Sequence, residues 1–170
     1  MTLARADTGS EALQVASTNL NEVLLEISES ARLLAQGKSI HYDHRLPEMP
    51  LRVKGNAPSL RRLFLILIDN AVKYTPREGR ISVVLDASDG AAVTEIRDTG
   101  VGIASSDLPH IFERFYRADE SRSRESGGTG LGLSMAKWIA EAHQGKISVA
   151  SKVGEGSVFR VRIPLSEDGP

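Results

Sequence analysis

The chain has 170 residues, with 21 Lys+Arg against 22 Asp+Glu and no cysteine. That length buries one good core but leaves no room for two ordinary domains and a linker. The balanced charge supplies no basic footprint for nucleic acid, and the missing thiols exclude disulfide scaffolds and thiolate metal sites, as fits a reducing, cytoplasmic setting.

Hydrophobic residues at 41% and charged residues at 25% are in the globular range, and no apolar run approaches the roughly 20 residues needed to cross a bilayer, so no membrane contact is expected. At the start, residues 3–7 read as the tail of a helix broken by Gly9, which suggests a fragment. Residues 11–20 mix Leu13, Val15 and Ala16 with polar side chains and read as a short strand. From Asn21 onward, Val23, Leu24, Ile27, Ala31 and Leu34 recur at helical spacing, with Asn19 or Asn21 as cap and Gly37 as terminator. Residues 39–46 and 51–54 read as strands around Pro47-Glu48-Met49-Pro50, where prolines forbid helix.

Leu60, Leu63, Phe64, Leu67, Ile68, Ala71 and Val72 form an unbroken amphipathic stripe, and Pro76 should stop this second helix near Tyr74. Two β-rich runs, 81–85 and 91–96, flank a hairpin connection at 86–90. The polar, serine-rich stretch 118–129 is too poor in apolar side chains to join a core and reads as a mobile loop. A third helix over 130–143 and strands over 146–150 and 157–163 complete the chain, which shows no internal repeat.

Three places can carry chemistry. On helix two, Asn70 and Lys73 share a face with Arg62 and Ile66; an amide oxygen suits magnesium, and a lysine beside it suits phosphate. A solvated helix face explains the same pair when taken alone. Asp98-Thr99-Gly100-Val101-Gly102-Ile103 follows a strand, so a carboxylate able to accept from an amino group stands beside glycines that let backbone approach a flat ligand. Its glycine and apolar positions rule out an EF-hand. Gly127-Gly128-Thr129-Gly130-Leu131-Gly132-Leu133 opens helix three and offers backbone N–H groups to phosphate. It lacks the third glycine of a dinucleotide fingerprint, and no Gly-Lys-Ser/Thr closes it as in a Walker A loop.

Taken in order, these segments resemble the ATP-binding catalytic domain of sensor histidine kinases, in the wider family shared with gyrase, Hsp90 and MutL. Asp69-Asn70-Ala71-Val72-Lys73-Tyr74-Thr75-Pro76 is similar to the N box and 98–103 to the G1 box. Phe112-Glu113-Arg114-Phe115-Tyr116-Arg117 is similar to the F box and 128–133 to the G2 box. The resemblance covers nearly the whole chain. It implies a Bergerat fold, an α/β two-layer sandwich with a mixed sheet against three main helices, over 11–170. The lid would lie at about 118–129, and residues 1–10 would end the second helix of a dimerisation domain.

By position, the resemblance implies Asn70 on Mg2+, Lys73 on phosphate, Tyr74 against adenine and Asp98 on adenine N6. Gly100 and Gly102 shape the base pocket, and Gly128, Thr129, Gly130, Leu131, Gly132 and Leu133 belong to the ATP site. Arg117 and Arg122 meet the γ-phosphate, and Ser157 reaches the adenine through water. Phe112, Phe115 and Tyr116 are equally read as packing under the lid, and Arg114 as a surface charge.

Ile66 departs from the pattern, since ATP-hydrolysing relatives carry Glu there and many histidine kinases Asn. An apolar side chain cannot deprotonate water, which argues against an ATPase but tolerates phosphoryl transfer, where positioning and charge neutralisation dominate. None of His41, His44, His110 and His143 begins the His-Glu/Asp motif of an acceptor site. The implied partners are therefore a dimerisation domain of the same protein and, indirectly, a response regulator, with the parent in a bacterial inner membrane. The rival readings are a nucleotide-sensing scaffold and an anti-sigma-type serine kinase, the latter disfavoured by the F box.

Overall fold

The computed structural model describes residues 14–118 and 128–167. Residues 1–13, Arg122 and most of the lid stretch fall outside the described residues. The elements are β1 (Ala16–Asn19), α1 (Leu20–Gly37), β2 (His41–Arg45), β3 (Arg52–Gly55), α2 (Ala57–Tyr74), β4 (Arg80–Ser88), β5 (Ala91–Asp98), α3 (Gly132–Ala142), β6 (Lys146–Lys152) and β7 (Gly156–Pro164).

Five strands form one mixed sheet in the order β2-β4-β5-β7-β6, with β2 parallel to β4 and every other pair antiparallel. β1 and β3 do not join it; they pair antiparallel as a separate two-stranded sheet. Alternation sorts the strand residues: Ile81, Val83, Leu85, Ile96, Phe159, Val161 and Ile163 are buried, while Arg97 and Arg160 stand exposed between them. α1 contributes Leu20, Leu24 and Ile27 to the same core and α2 its whole predicted stripe. No helix among the described residues is long and apolar enough to cross a membrane.

Local chemistry sets the boundaries. Asn19 caps α1 by accepting from Asn21 N at 3.0 Å. Asn21 instead pins the β2–β3 connection, donating to Pro47 O at 2.7 Å and accepting from Leu51 N at 2.9 Å. α2 starts three residues before its first stripe leucine because Asn56 accepts from Ser59 N at 2.9 Å and Pro58 is tolerated in a first turn. The β4–β5 turn is tighter than the 86–90 expectation: Asp89 and Gly90, at φ 48 and 73, form a two-residue hairpin, and the strands run on to Ser88.

α1 and α3 end alike. Ile40 N reaches Ala35 O at 2.8 Å around Ser39 at φ 56, and Gly145 N reaches Ala140 O at 2.8 Å around Gln144 at φ 57. Both are Schellman-type stops with a left-handed non-glycine residue. At the second, His143 is buried, accepts from Asn56 N through Nε2 at 3.0 Å and meets Ile139 O through Nδ1 at 2.7 Å. Those partners require the proton on Nδ1. The ring thus joins the end of α3 to the start of α2, against Gly55, where an added Cβ would lie 2.8 Å from the imidazole. His143→Leu should cost about 1–3 kcal/mol in urea unfolding by orphaning the Asn56 amide; an unchanged midpoint would show the latch to be idle.

Candidate nucleotide site

The site begins at the C-terminal turn of α2. Asn70 and Lys73, three residues apart, are half-buried, and Tyr74 is 46% exposed. Lys73 Nζ stands 5.2 Å from the Tyr74 ring centroid. The helix stops there because Thr75 turns to ψ 124 ahead of Pro76. The Tyr74 carbonyl then accepts Val101 N at 3.2 Å, which fastens the helix to the loop after β5.

Asp98 closes β5 and is 7% exposed. Its Oδ1 accepts Gly100 N at 2.8 Å. Burial raises its carboxyl above the usual range, while backbone hydrogen bonds from Gly100 and Ser157 pull the other way. Two glycines are obligatory in this loop and its neighbour. At Gly102, φ 73, a Cβ would meet Lys152 O at 2.1 Å, and at Gly156, φ 95, it would meet Asp98 O at 2.0 Å. Gly100 is equally confined, between Asp98 Oδ1 at 2.6 Å and Tyr74 O at 2.7 Å from an added Cβ.

The lid's far end returns to the same place. A Cβ on Gly128 would lie 3.0 Å from Lys73 Nζ and 3.7 Å from Arg117 Nη2, so three residues read separately from the sequence converge. Gly130 accepts Phe115 N at 2.9 Å, joining F and G2 boxes. Thr129 is exposed, whereas Leu131, Gly132 and Leu133 are partly buried, Leu133 against the core. Among the described residues α3 begins without a side-chain cap, and its first-turn amides face the side where an anion would bind a helix N-terminus. Ile66 Cγ2 lies 3.4 Å from a Cβ built on Gly132, so the position without a base is an apolar contact between α2 and α3.

The F-box aromatics divide. Phe112 packs edge-on to Phe159, with centroids 6.4 Å apart, and Tyr116 OH donates to Asp107 at 2.6 Å. Phe115 is 70% exposed at φ 65, and most of the lid it was expected to pack under lies outside the described residues. Arg114 is exposed.

Sequence reading missed Ser151. Its hydroxyl accepts Ile103 N at 2.8 Å, lies 2.9 Å from Gly156 O as donor and 2.7 Å from Ser157 Oγ. Ser157 is therefore buried and engaged, its hydroxyl shared with a neighbour directly across the β6–β7 pair. The visible signal was two serines flanking a glycine-rich turn. Thr75 Oγ1 is buried with no hydrogen-bond partner among the described residues; a Cβ on Gly79 would touch both Thr75 Cγ2 and Thr99 Oγ1.

These residues fit a nucleotide. A buried carboxylate with acceptor capacity to spare lies in a backbone cradle that only glycine permits, and two cationic side chains gather at Gly128. The Asn70 amide adds a hard oxygen that suits magnesium shared with phosphate.

Comparison with known proteins agrees. A family model described as histidine kinase-, DNA gyrase B-, and HSP90-like ATPase matches residues 55–167. Sensor histidine kinase RppB of Synechocystis is 39% identical over 146 residues, covering 86% of this chain and 32% of that protein. Sensor histidine kinase YkoH of Bacillus subtilis is 44% identical over 119 residues, 70% of this chain and 26% of its own length. The chain thus spans about a third or less of these relatives. Among solved structures, the mycobacterial sensor histidine kinase MprB superposes with TM-score 0.76 at 28% identity, covering 89% of this chain and 97% of that one. Full-length ShkA in complex with AMPPNP shares the fold, with TM-score 0.81 at 24% identity over 95% of this chain and 33% of its own.

The raised Asp98 carboxyl has a measurable consequence. Its contribution to folding is full below the unfolded value of about 4 and is lost as pH rises through the higher folded value. Asp98→Asn should therefore unfold at a higher temperature than wild type at pH 7 without ligand. The gap should close as pH falls toward about 4; a gap independent of pH would mean that burial does not penalise the charge.

Proposed function

The chain belongs to the histidine kinase-, DNA gyrase B-, and HSP90-like ATPase family, and on that premise we propose that it is the ATP-binding catalytic domain of a bacterial sensor histidine kinase. In this reading it passes the γ-phosphoryl group of Mg-ATP to a histidine on a separate dimerisation domain. The observation that carries the reading is the meeting of Lys73 and Arg117 at Gly128, on the helix end whose Tyr74 carbonyl also holds the Asp98 loop. The AMPPNP bound to ShkA, a protein of the same fold, supports a nucleotide as the ligand class.

When bound, ATP supplies the phosphoryl group, and magnesium neutralises charge on its phosphates. Asp98 would accept from the adenine amino group, and the exposed ring of Tyr74 would offer a face to the base. Gly100 and Gly102 keep the backbone close enough for both contacts, and the Ser151–Ser157 pair offers hydroxyls for a bridging water. Asn70 would hold the metal through its amide oxygen. Lys73 and Arg117 would carry the positive charge that meets the phosphates, joined by Arg122 in the sequence-based expectation.

Ile66 determines the direction of the chemistry. Packed on Gly132, it offers no proton acceptor to a water, so hydrolysis lacks its base. An imidazole brings its own lone pair as nucleophile, and positioning suffices. The four histidines of this chain are unsuited: His41 and His44 are on β2, His110 meets Glu113 at 2.8 Å, and His143 is buried. The acceptor belongs to a dimerisation domain in the remainder of the parent, which would reside in the bacterial inner membrane with this domain in the cytoplasm. A response regulator would receive the phosphoryl group in turn.

Calorimetry tests the site. Asp98→Ala should weaken ATP binding by about 100-fold, about 2.7 kcal/mol, with or without magnesium. Asn70→Ala should abolish the gain in affinity that magnesium gives. Wild-type binding in both variants would remove the basis of the assignment.

A further inference from the structure

The last turn of α2 poses a problem that its own backbone cannot solve. Residue 76 is proline, so the N–H that would close the helical bond to the Val72 carbonyl does not exist. Thr75 N makes the final helical bond, to Ala71 O at 3.1 Å. The carbonyls of Val72, Lys73 and Tyr74 must find donors elsewhere, and Tyr74 finds Val101 N. The other two are met by a residue of another helix: Lys38 Nζ donates to Val72 O at 2.6 Å and reaches Lys73 O at 3.4 Å and Thr75 O at 3.5 Å.

The placement of Lys38 is fixed by backbone. It is the C-cap of α1, inside the Schellman-type stop where Ser39 N bonds Gln36 O at 3.0 Å and Ile40 N bonds Ala35 O at 2.8 Å. The same corner grips the chain beyond the proline, through Glu78 N to Ser39 O at 2.7 Å and His41 N to Gly79 O at 2.9 Å. An ammonium there also faces the negative end of the α2 dipole. Lys73, the basic residue in that last turn, directs its own ammonium toward Tyr74 and Gly128. Lys38 lies in Gly37-Lys38-Ser39, a tripeptide found in phosphate loops. Arg32 stands where such a loop needs its leading glycine, and the segment closes a helix instead of opening one.

We propose that Lys38 is a positioning residue of the nucleotide site. Its ammonium replaces the donor missing at Pro76 and so fixes the turn that presents Asn70, Lys73 and Tyr74. Through the Tyr74–Val101 bond, it also fixes the Asp98 loop. The proposal rests on the reading of this turn as the nucleotide site.

Two variants of the 170-residue chain test it. Lys38→Met keeps the aliphatic stem and removes the donor, whereas Lys38→Arg keeps charge and donors. In Lys38→Met, hydrogen exchange at the Thr75 and Val101 amides should quicken about tenfold while the β4–β5 amides keep their protection. The Mg-ATP dissociation constant should rise about tenfold, and Lys38→Arg should restore both to within about threefold. Unchanged exchange at Thr75 and Val101, acceleration spread over the whole sheet, unaltered affinity despite local loosening, or failure of the arginine rescue would each overturn the proposal. Exchange is read without nucleotide, so a wild type that binds no Mg-ATP would count against the proposed function and leave the Lys38 latch to be judged by its own measurement.

Discussion

One backbone hydrogen bond, from Val101 N to the Tyr74 carbonyl, sets the geometry on which the site depends. It ties the end of a helix to the loop at the end of a sheet strand, two segments that packing alone would hold only approximately. Pro76 ends the helix, which frees the Tyr74 carbonyl for this purpose. Gly100 lets the loop come close enough to make the bond, since any side chain there would collide with Tyr74 O and the Asp98 carboxylate. The helix stripe from Leu60 to Val72 and the inward residues of β5 and β7 then hold the junction from below.

At that junction the protein accepts a cost. Asp98 is buried with backbone partners and no salt bridge among the described residues, and its carboxyl is raised accordingly. Polar burial of this kind makes sense when a ligand completes it, because an ionised carboxylate has more acceptor sites than Gly100 and Ser157 use. On the cationic side, Lys73 and Arg117 both stand beside Gly128, where a phosphate would meet positive charge. Ile66 against Gly132 supplies the contrast, an apolar contact in a polar neighbourhood, which under the proposed function would separate transfer from hydrolysis.

Much of this was legible in the sequence for identifiable reasons. The α2 stripe has a strong period, the box glycines have steric causes, and Asp98 stands at a strand end, so each announces itself locally. The features that escaped reading depend on partners distant in the chain. Ser151 matters because strand register brings it to Ser157, and Asn21 reaches a loop that begins 26 residues later. Lys38 matters because α1 ends beside α2. The β1–β3 pair was read as strands but could not be assigned to its own sheet, since pairing is not written in either segment. Phe115 looked like packing material because aromatic residues usually are, yet its left-handed backbone turns it outward. The Asp89-Gly90 turn was within reach, as Asp-Gly is a strong hairpin signal that was spread over too long a connection.

The proposed function turns on where the phosphoryl group goes. The most direct measurement incubates this chain with γ-labelled Mg-ATP and a separately produced dimerisation domain of its parent, then follows the label. The proposed function predicts acid-labile, base-stable label on the dimerisation domain, none on this chain, and none anywhere when the dimerisation domain is omitted. Tight ATP binding with no label on the dimerisation domain, or rapid release of free phosphate by this chain alone, would contradict it.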